Sequence, residues 1–379
     1  MAKKLDMRLQ GVNLRYALCA VVLATACGPS PRPVAIGNAP AYEALLGDPR
    51  RALYENESIP LDTPRVEWDI NAGSGMRGTL LLLDSTIVTA TTNRQLLAYH
   101  RRSGRRHWDQ RFGNAVTSTV LYQDRMVYVG TDESDGGLHA LEITRGRERW
   151  KQKLGAVRFT PLLDNNVIYL GTDGGNVIAV STDRGRQIWR VGLPAALAET
   201  LVDAGAHVIA ITNNDSVFAL RKSDGALVVS GHVPGTPSAA PALSGNTLIV
   251  PVQPHGIVGI NANTLAPVWG VDVTAPVLTA PVVTRDGTAY VAARDGSVYR
   301  IRDGKAETIA QLGHALAGSL TLVRDHLLAG SYDGTLIAVT LEGKVVWKLK
   351  LNDSMVAPVA VGPDGIFVPL LRGGIVKLR

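Results

Sequence analysis

The sequence predicts an all-β fold, an eight-bladed β-propeller built from four-stranded antiparallel blades. A unit of about forty residues, the size of one blade, repeats along most of the chain. All six tryptophans occupy the same place in that unit. A lone strand before the first unit then sets the number of blades.

The clearest copy of the repeat is Thr160–Leu193. Four short β-type runs lie within it: Thr160–Leu163, Val167–Gly171, Val177–Ser181 and Gln187–Val191. Their Val, Ile, Tyr and Leu residues suit a pleated, half-buried surface. Asp, Asn and Gly separate the runs, and these residues favour the tight turns of hairpins. The stretch therefore predicts a four-stranded meander.

The tryptophans keep one period through the chain. They stand at Trp68, Trp108, Trp150, Trp189, Trp269 and Trp347, with gaps of 40, 42, 39, 80 and 78 residues. The last two gaps are twice the period, so one blade in each has lost its tryptophan. Val229 and Thr308 or Ile309 stand at the empty places. We expect each tryptophan to pack between neighbouring blades, and the ring to be loosest beside blades four and six.

The two ends of the folded region predict how the ring closes. After Trp347 the chain has three more β-type runs but no fourth. Arg65–Ile70 precedes the first blade and has no blade of its own. Pairing it beside Ile375–Leu378 completes an eighth blade and removes an exposed edge, a liability that sheets must cover. The propeller is therefore predicted to span 65–379.

The first residues resemble a bacterial lipoprotein leader. Four basic residues precede the apolar stretch Tyr16–Ala26, which is too short for a stable membrane span and suits a signal peptide. Small residues run directly into Cys27, as in sites that lipoprotein signal peptidase cuts. We expect residues 1–26 to be removed and Cys27 to carry the lipid. The alternative is an ordinary secretory peptide that ends beside a cysteine.

Residues 27–64 predict a flexible tether behind the lipidated cysteine. Gly28–Pro40 is rich in Pro and Gly, which favours an extended or disordered chain. The residue after Cys27 is Gly28, whereas an Asp there tends to retain proteobacterial lipoproteins on the inner membrane. In a Gram-negative host this predicts a lipid-anchored protein of the outer membrane that faces the periplasm.

Composition argues against several functional classes. The net charge of +6 on 379 residues is mild, which argues against nucleic-acid binding. The only cysteines are Cys19 and Cys27, so the propeller holds no thiol pair for redox or metal chemistry. The eight histidines are spread singly, without metal-ligand spacing. We expect a monomeric propeller with no metal, no cofactor and no catalysis.

The repeat unit resembles that of the quinoprotein-type, or PQQ, propellers. The residues that carry the resemblance are clearest at Tyr128–Asp132, Gly137–Leu141 and Gly171–Gly174, with Trp189 closing the third unit. Behind a lipoprotein leader, the repeat is similar to the BamB family of outer-membrane assembly lipoproteins over residues 27–379. It is specific for the fold and only moderately specific for function, because unrelated propellers share it.

The resemblance to BamB implies a non-catalytic scaffold that binds BamA-like POTRA domains with one propeller face. In that family the contact uses a Leu- and Arg-bearing loop between blades three and four, and an Asp-bearing loop after it. By repeat position these are Gly192–Glu199 and Val233–Ser238. Leu193 and Leu197 would supply apolar anchors and Glu199 the only charge, since the Arg and the Asp pair are absent.

Two other functions stay open. One is a binding module of another envelope complex, or a sensor of a ligand in the central funnel. The other is a PQQ-dependent dehydrogenase. The resemblance favours it less, because those enzymes carry Ca²⁺ ligands, a catalytic Asp and usually a vicinal Cys pair. The ring has no cysteine and no acidic cluster on successive first strands.

Basic residues are frequent around the third-to-fourth hairpins of blades one to four. This basic arc comprises Arg101, Arg102, Arg105, Arg106, Arg145, Arg147, Arg149, Arg184, Arg186, Arg221 and Lys222. Such an arc suits an anionic lipid surface or an acidic partner. The simpler interpretation is solvated charge in turns.

Overall fold

The computed structural model describes residues 53–54, 57–76, 78–116, 118–133 and 135–379. The predicted signal peptide, Cys27 and most of the predicted tether lie outside these residues. The described chain forms 33 β-strands and no α-helix. Accordingly, no described helix is long and apolar enough to cross a membrane.

The strands follow one another through successive blades. Two precede blade one: β1 (Leu53–Tyr54) and β2 (Val66–Asn71). Blades one to four contain β3 (Leu81–Leu82), β4 (Thr86–Thr91), β5 (Gln95–His100), β6 (Arg106–Arg111), β7 (Leu121–Gln123), β8 (Met126–Gly130), β9 (Gly137–Glu142), β10 (Arg147–Lys153), β11 (Leu162–Asp164), β12 (Val167–Gly171), β13 (Asn176–Ser181), β14 (Gln187–Gly192), β15 (Val202–Ala204), β16 (His207–Ile211), β17 (Ser216–Arg221) and β18 (Leu227–His232).

Blades five to eight complete the order. They contain β19 (Ala242–Ser244), β20 (Thr247–Val252), β21 (Gly256–Asn261), β22 (Pro267–Asp272), β23 (Val282–Val283), β24 (Ala289–Ala292), β25 (Ser297–Arg302), β26 (Lys305–Gln311), β27 (Thr321–Val323), β28 (His326–Gly330), β29 (Thr335–Thr340), β30 (Val345–Lys350), β31 (Ala360–Gly362), β32 (Gly365–Pro369) and β33 (Gly374–Leu378).

These strands form eight sheets, which confirms the predicted eight-bladed all-β fold. Every blade contains four antiparallel strands, and in blades one to seven these follow one another as a meander. First strands of neighbouring blades contact one another, as β15 does β19 and β31 does β3, so they surround the axis. The fourth strand of each blade forms the rim.

The eighth blade joins the two ends of the described chain. β2 pairs antiparallel with β33, with Asp69 opposite Val376 and Ile70 opposite Ile375. The pairing predicted between these two segments is therefore present. Arg65 and Arg379 exchange backbone hydrogen bonds of 2.7 and 2.9 Å just beyond it. This blade has no third-to-fourth hairpin, because its outer strand comes from the other end of the chain.

The core lies between blades. Middle strands such as β12 (VIYLG) are almost wholly buried, because both faces of a blade pack against neighbours. Outer strands such as β14 (QIWRVG) alternate between exposed and buried residues. One cluster joins Val88 and Ala98 of blade one to Val127 and Leu141 of blade two, and similar clusters join other neighbours. Burial of these faces drives the blades into a ring.

Five of the tryptophans hydrogen-bond to the backbone across a blade interface. The indole N–H donates to a carbonyl at 2.8–3.1 Å in the pairs Trp68 to Arg102, Trp108 to Ile143, Trp150 to Thr182, Trp189 to Lys222 and Trp347 to Pro60. In the first four, the carbonyl lies in the third-to-fourth hairpin of the next blade. A buried tryptophan removes roughly 150–250 Å² from water, worth up to about 4–6 kcal/mol.

A glycine in the receiving hairpin makes room for the indole. Gly225 has a φ of 75°, and a β-carbon there would lie 2.8 Å from the Trp189 ring. Gly304 has a φ of 72° and would meet Trp269 at 2.9 Å. Any other residue would bring both backbone strain and a steric clash. Tryptophan and glycine are therefore a matched pair at these interfaces.

Blade four replaces both members of the pair. Val229 stands in place of the tryptophan, and Leu265 of blade five stands in place of the glycine, with a φ of 55°. Leu265 is 1% exposed and lies in the same cluster as Val229. The leucine thus fills the space that a smaller valine leaves. The sequence-based expectation of a looser ring stays a prediction, but at this interface the gap is filled.

The segment before β2 supplies the contact to Trp347 that blade eight, without a third-to-fourth hairpin, cannot make. β1 pairs parallel with β27, the first strand of blade seven, through Leu53 opposite Leu322. Ile59 is buried among residues of blades seven and eight. Pro60 then offers its carbonyl to Trp347 in place of the missing hairpin. The flexible tether was predicted to extend to residue 64. The folded part begins before that point, because Ile59 and Pro60 complete a blade interface.

Exchanging the pair at blades four and five tests this matching. We expect Val229→Trp alone to destabilise the protein by about 1–3 kcal/mol, because Leu265 blocks the indole. Leu265→Gly alone should cost about 2–4 kcal/mol through the cavity left. The double variant should lose less than the sum, with a coupling of about 1–3 kcal/mol. Denaturant unfolding of all four proteins measures this, and strictly additive losses would contradict the matching.

Candidate functional site

The candidate site is the loop face of the propeller. It consists of the connections from each fourth strand to the next first strand, together with the second-to-third hairpins. Each second-to-third hairpin donates a backbone N–H to the connection before it, as Asp173 does to Ala156 at 3.1 Å and Asn213 to Ala196 at 2.9 Å. The same bond recurs in all eight blades. The face is therefore a fixed surface.

One buried residue anchors most of these connections from below. The set repeats at about forty residues and comprises Met76, Val116, Val157, Leu197, Val277, Leu316 and Met355, all buried. Leu197 is 6% exposed, and its side chain occupies the space where Gly171 would carry a β-carbon. Leu197, a sequence-predicted anchor for a partner, therefore lies in the core between blades three and four.

The other two predicted contact residues lie in the same loop and are partly accessible. Leu193 is half-buried, packs against the cluster that contains Leu197, and donates its N–H to Gly175 at 2.7 Å. Glu199 is also half-buried. The structure thus brings all three residues into one loop but presents only Leu193 and Glu199 toward solvent. Leu197 occupies the same repeat position as Val116 and Val157. This spacing is the sequence feature that could have placed Leu197 in the core.

Arg158, which sequence reasoning missed, links two blades on the loop face. Its Nε lies 3.0 Å from Asp132 of blade two and 2.8 Å from Asp173 of blade three. A hydrogen bond to Asp132, then the charges of Asp132 and Asp173, raise the pKa of the Arg158 guanidinium. Arg158 directly follows the buried Val157, one repeat before Ala198. This place in the repeat is the feature of the sequence that could have located Arg158 on the loop face.

A second polar cluster also lies on the loop face, across the ring from Arg158. Asp333, in the second-to-third hairpin of blade seven, accepts a hydrogen bond from Ser331 and lies 3.1 Å from Lys350 and 3.2 Å from His314. The Ser331 hydroxyl, with the Lys350 ammonium, holds the pKa of Asp333 well below its usual range. Asp333 is therefore ionised throughout the neutral range and fixes the hairpin to its neighbours.

The basic arc is less available than its sequence suggests. Arg101 is buried, donates to the Leu83 carbonyl at 3.0 Å, and pairs with Asp364 at 3.1 Å. Lys222 has an 11% exposed side chain, between Asp164 and Asp203 at 2.7 Å each. These two cations join neighbouring blades or strands rather than face solvent. Others of the set lie on the outer strands β6 and β10 rather than in hairpins.

In the part of the chain that the structure describes, no group of three or more His, Cys, Asp or Glu side chains is placed to hold a metal ion. The loop face instead carries hydrogen-bonded backbone, apolar anchors and ion pairs between blades. Such a surface is suited to binding another macromolecule.

Comparison with known proteins gives one family. The family profile described as "Outer membrane protein assembly factor BamB" matches residues 61–156, 134–264 and 229–354. A protein of that name from Burkholderia pseudomallei is 26% identical over 243 residues, which cover 59% of this chain and 58% of that protein. The chain thus spans less than two thirds of this relative's length.

Two solved structures share the architecture, and one further enzyme matches part of the sequence. BamB from Moraxella catarrhalis superposes with a TM-score of 0.70 at 14% identity, over 84% of this chain and 100% of that one. A europium-containing methanol dehydrogenase gives 0.70 at 12% identity, over 88% and 97%. The tetrathionate hydrolase of Acidithiobacillus ferrooxidans is 26% identical over 138 residues, 36% of this chain and 27% of that protein. The structural likenesses show the fold alone, which serves binding proteins and enzymes.

Replacing Lys222 tests its role between blades three and four. We expect Lys222→Met to destabilise the protein by about 3 kcal/mol, because it leaves the partly buried Asp164 and Asp203 carboxylates facing each other unpaired. The matched control is Arg221→Met, whose exposed pair with Asp224 should matter far less. Denaturant midpoints measure both, and equal shifts would show that Lys222 is an ordinary surface charge.

Proposed function

The chain belongs to the outer membrane protein assembly factor BamB family, and we propose that it is a non-catalytic scaffold of the outer-membrane β-barrel assembly machinery. The observation that carries the proposal is the match of the family profile across residues 61–354, most of the propeller. The rigid loop face supports it, since a scaffold needs a fixed surface rather than reactive groups.

We further propose where the protein acts. Cys27 would be lipidated after removal of residues 1–26 and would anchor the protein to the outer membrane. The propeller would then face the periplasm. Acyl chains on a cysteine contribute about 0.8 kcal/mol for each buried CH₂ group, so several chains give stable anchoring.

The partner we propose is a BamA-like protein, bound through its POTRA domains. The contact would use the loop face around Leu193 and Glu199, an apolar side chain and a carboxylate that belong to one connection and are both half-buried. Leu197 would act from beneath, because its burial fixes the backbone that carries both. One propeller would bind as a monomer.

The mechanism follows from rigidity. The loop is held by the Leu193 to Gly175 hydrogen bond and by the packing of Leu197 against Gly171. A preorganised surface loses little conformational entropy when it binds, so more of its contact energy contributes to affinity. The propeller would add contact surface to the assembly machinery and hold its periplasmic domains in place, without making or breaking a covalent bond.

Replacing Leu193 tests the docking. We expect Leu193→Asp to weaken binding to purified POTRA domains of the host's BamA-like protein by at least about tenfold, because a charge replaces an apolar contact. Calorimetry or surface plasmon resonance measures this. The matched control is Leu341→Asp, a half-buried leucine in the third-to-fourth hairpin of blade seven, on the opposite face.

The control variant should bind as the unchanged protein does. Equal affinity of both variants would remove Leu193 from the contact, and absence of any binding by the unchanged protein would overturn the POTRA partner. Circular dichroism of both variants shows whether the β-structure is retained.

A further inference from the structure

The rim of the propeller differs from blade to blade. Each outer strand has one free edge, since it pairs only with the third strand of its own blade. Seven of the eight outer strands expose at least one charged side chain: β2, β6, β10, β14, β22, β26 and β30. Charges on an edge prevent another strand from adding to it.

β18 of blade four is the exception. Its sequence is LVVSGH, and Leu227, Val228, Ser230 and His232 are exposed. Leu227 is 56% and Val228 45% exposed, both large for apolar side chains. The strand carries no Lys, Arg, Asp or Glu. A free, uncharged and apolar edge is the arrangement to which another strand adds most readily.

The neighbouring rims extend this apolar surface. Ile188 of β14 and Val268 of β22 occupy the repeat position of Val228, and both are exposed. Gly192 and Gly270 lie further along the exposed sides of those two strands, so side chains there do not hinder access. At the position of Val228, blades one and two instead carry His107 and Arg149. Arg190 of β14 and Asp272 of β22 are exposed, so the apolar rim of blades three to five is free of charge only at β18.

We propose that the free edge of β18 binds an extended, uncharged peptide segment with alternating apolar side chains, by addition of a β-strand. The free backbone N–H and C=O groups of an edge select an extended chain, and main-chain hydrogen bonds supply the affinity. The neutral side chains select a segment without charge, since a charged residue beside Leu227 and Val228 would be desolvated without a partner.

This inference rests on the proposed function and names the class of client. A membrane β-strand alternates apolar with polar residues along its length. Before it folds, such a strand has its own unpaired backbone groups. The rim of blade four therefore offers a temporary partner for an unfolded strand, while the loop face stays free to hold the machinery.

The test compares two outer strands at one repeat position. Leu227→Lys places a charge on the edge of β18, and Val345→Lys does the same on β30, where Val345 is 38% exposed. The probe is a short fluorescein-labelled peptide of alternating valine and threonine, titrated with each full-length protein in fluorescence anisotropy. We expect Leu227→Lys to weaken peptide binding by at least about tenfold and Val345→Lys to leave it within about twofold.

Three outcomes would overturn the inference. No peptide binding by the unchanged protein removes the site, and equal loss in both variants shows that binding is not specific to β18. A concentration-dependent dimer in analytical ultracentrifugation that Leu227→Lys abolishes would assign the edge to a second copy of the chain. Binding of Leu227→Lys to POTRA domains is measured alongside, because its retention separates this inference from the proposed docking.

Discussion

The contact between the outer strand of one blade and the hairpin of the next is the constraint on which the ring depends. Trp189 illustrates it: the indole donates to the Lys222 carbonyl at 2.8 Å and lies over Gly225. The same residue, Lys222, places its ammonium between Asp164 and Asp203. Apolar burial, a hydrogen bond and an ion network thus meet at a single hairpin. Because each interface fixes the next blade, the orientation of every loop follows from this contact.

Three surfaces with different chemistry result from this arrangement. The loop face is rigid, since each hairpin is bonded to the connection beside it. The opposite face uses two largely buried cations of the basic arc, Arg101 and Lys222, for ion pairs within the ring. The rim exposes charged side chains on every outer strand except β18 of blade four. A scaffold of this kind can therefore hold one partner on a face while a second segment contacts the rim.

The repeat made most of the fold predictable from sequence. Tryptophan spacing and turn residues placed the blades, and the unpaired segment before blade one led to the eighth. Other features depend on contacts distant in sequence. Ile59 and Pro60 lie in a Pro-containing stretch without strand pattern, yet they complete an interface some 287 residues away at Trp347. The packing role of Leu265 could not be predicted from its own loop, because it depends on Val229 of another blade. Leu197 was interpreted as an apolar anchor for a partner because its loop was considered alone, without the register of Val157.

Co-purification tests the central claim most directly. The full-length, tagged protein would be isolated from membranes of its host in mild detergent, and its partners identified by mass spectrometry. The account predicts recovery of an outer-membrane β-barrel protein that carries POTRA domains, in amounts comparable to the propeller. Recovery of a different envelope complex, with no such barrel, would leave the fold in place and contradict the assignment as an assembly scaffold.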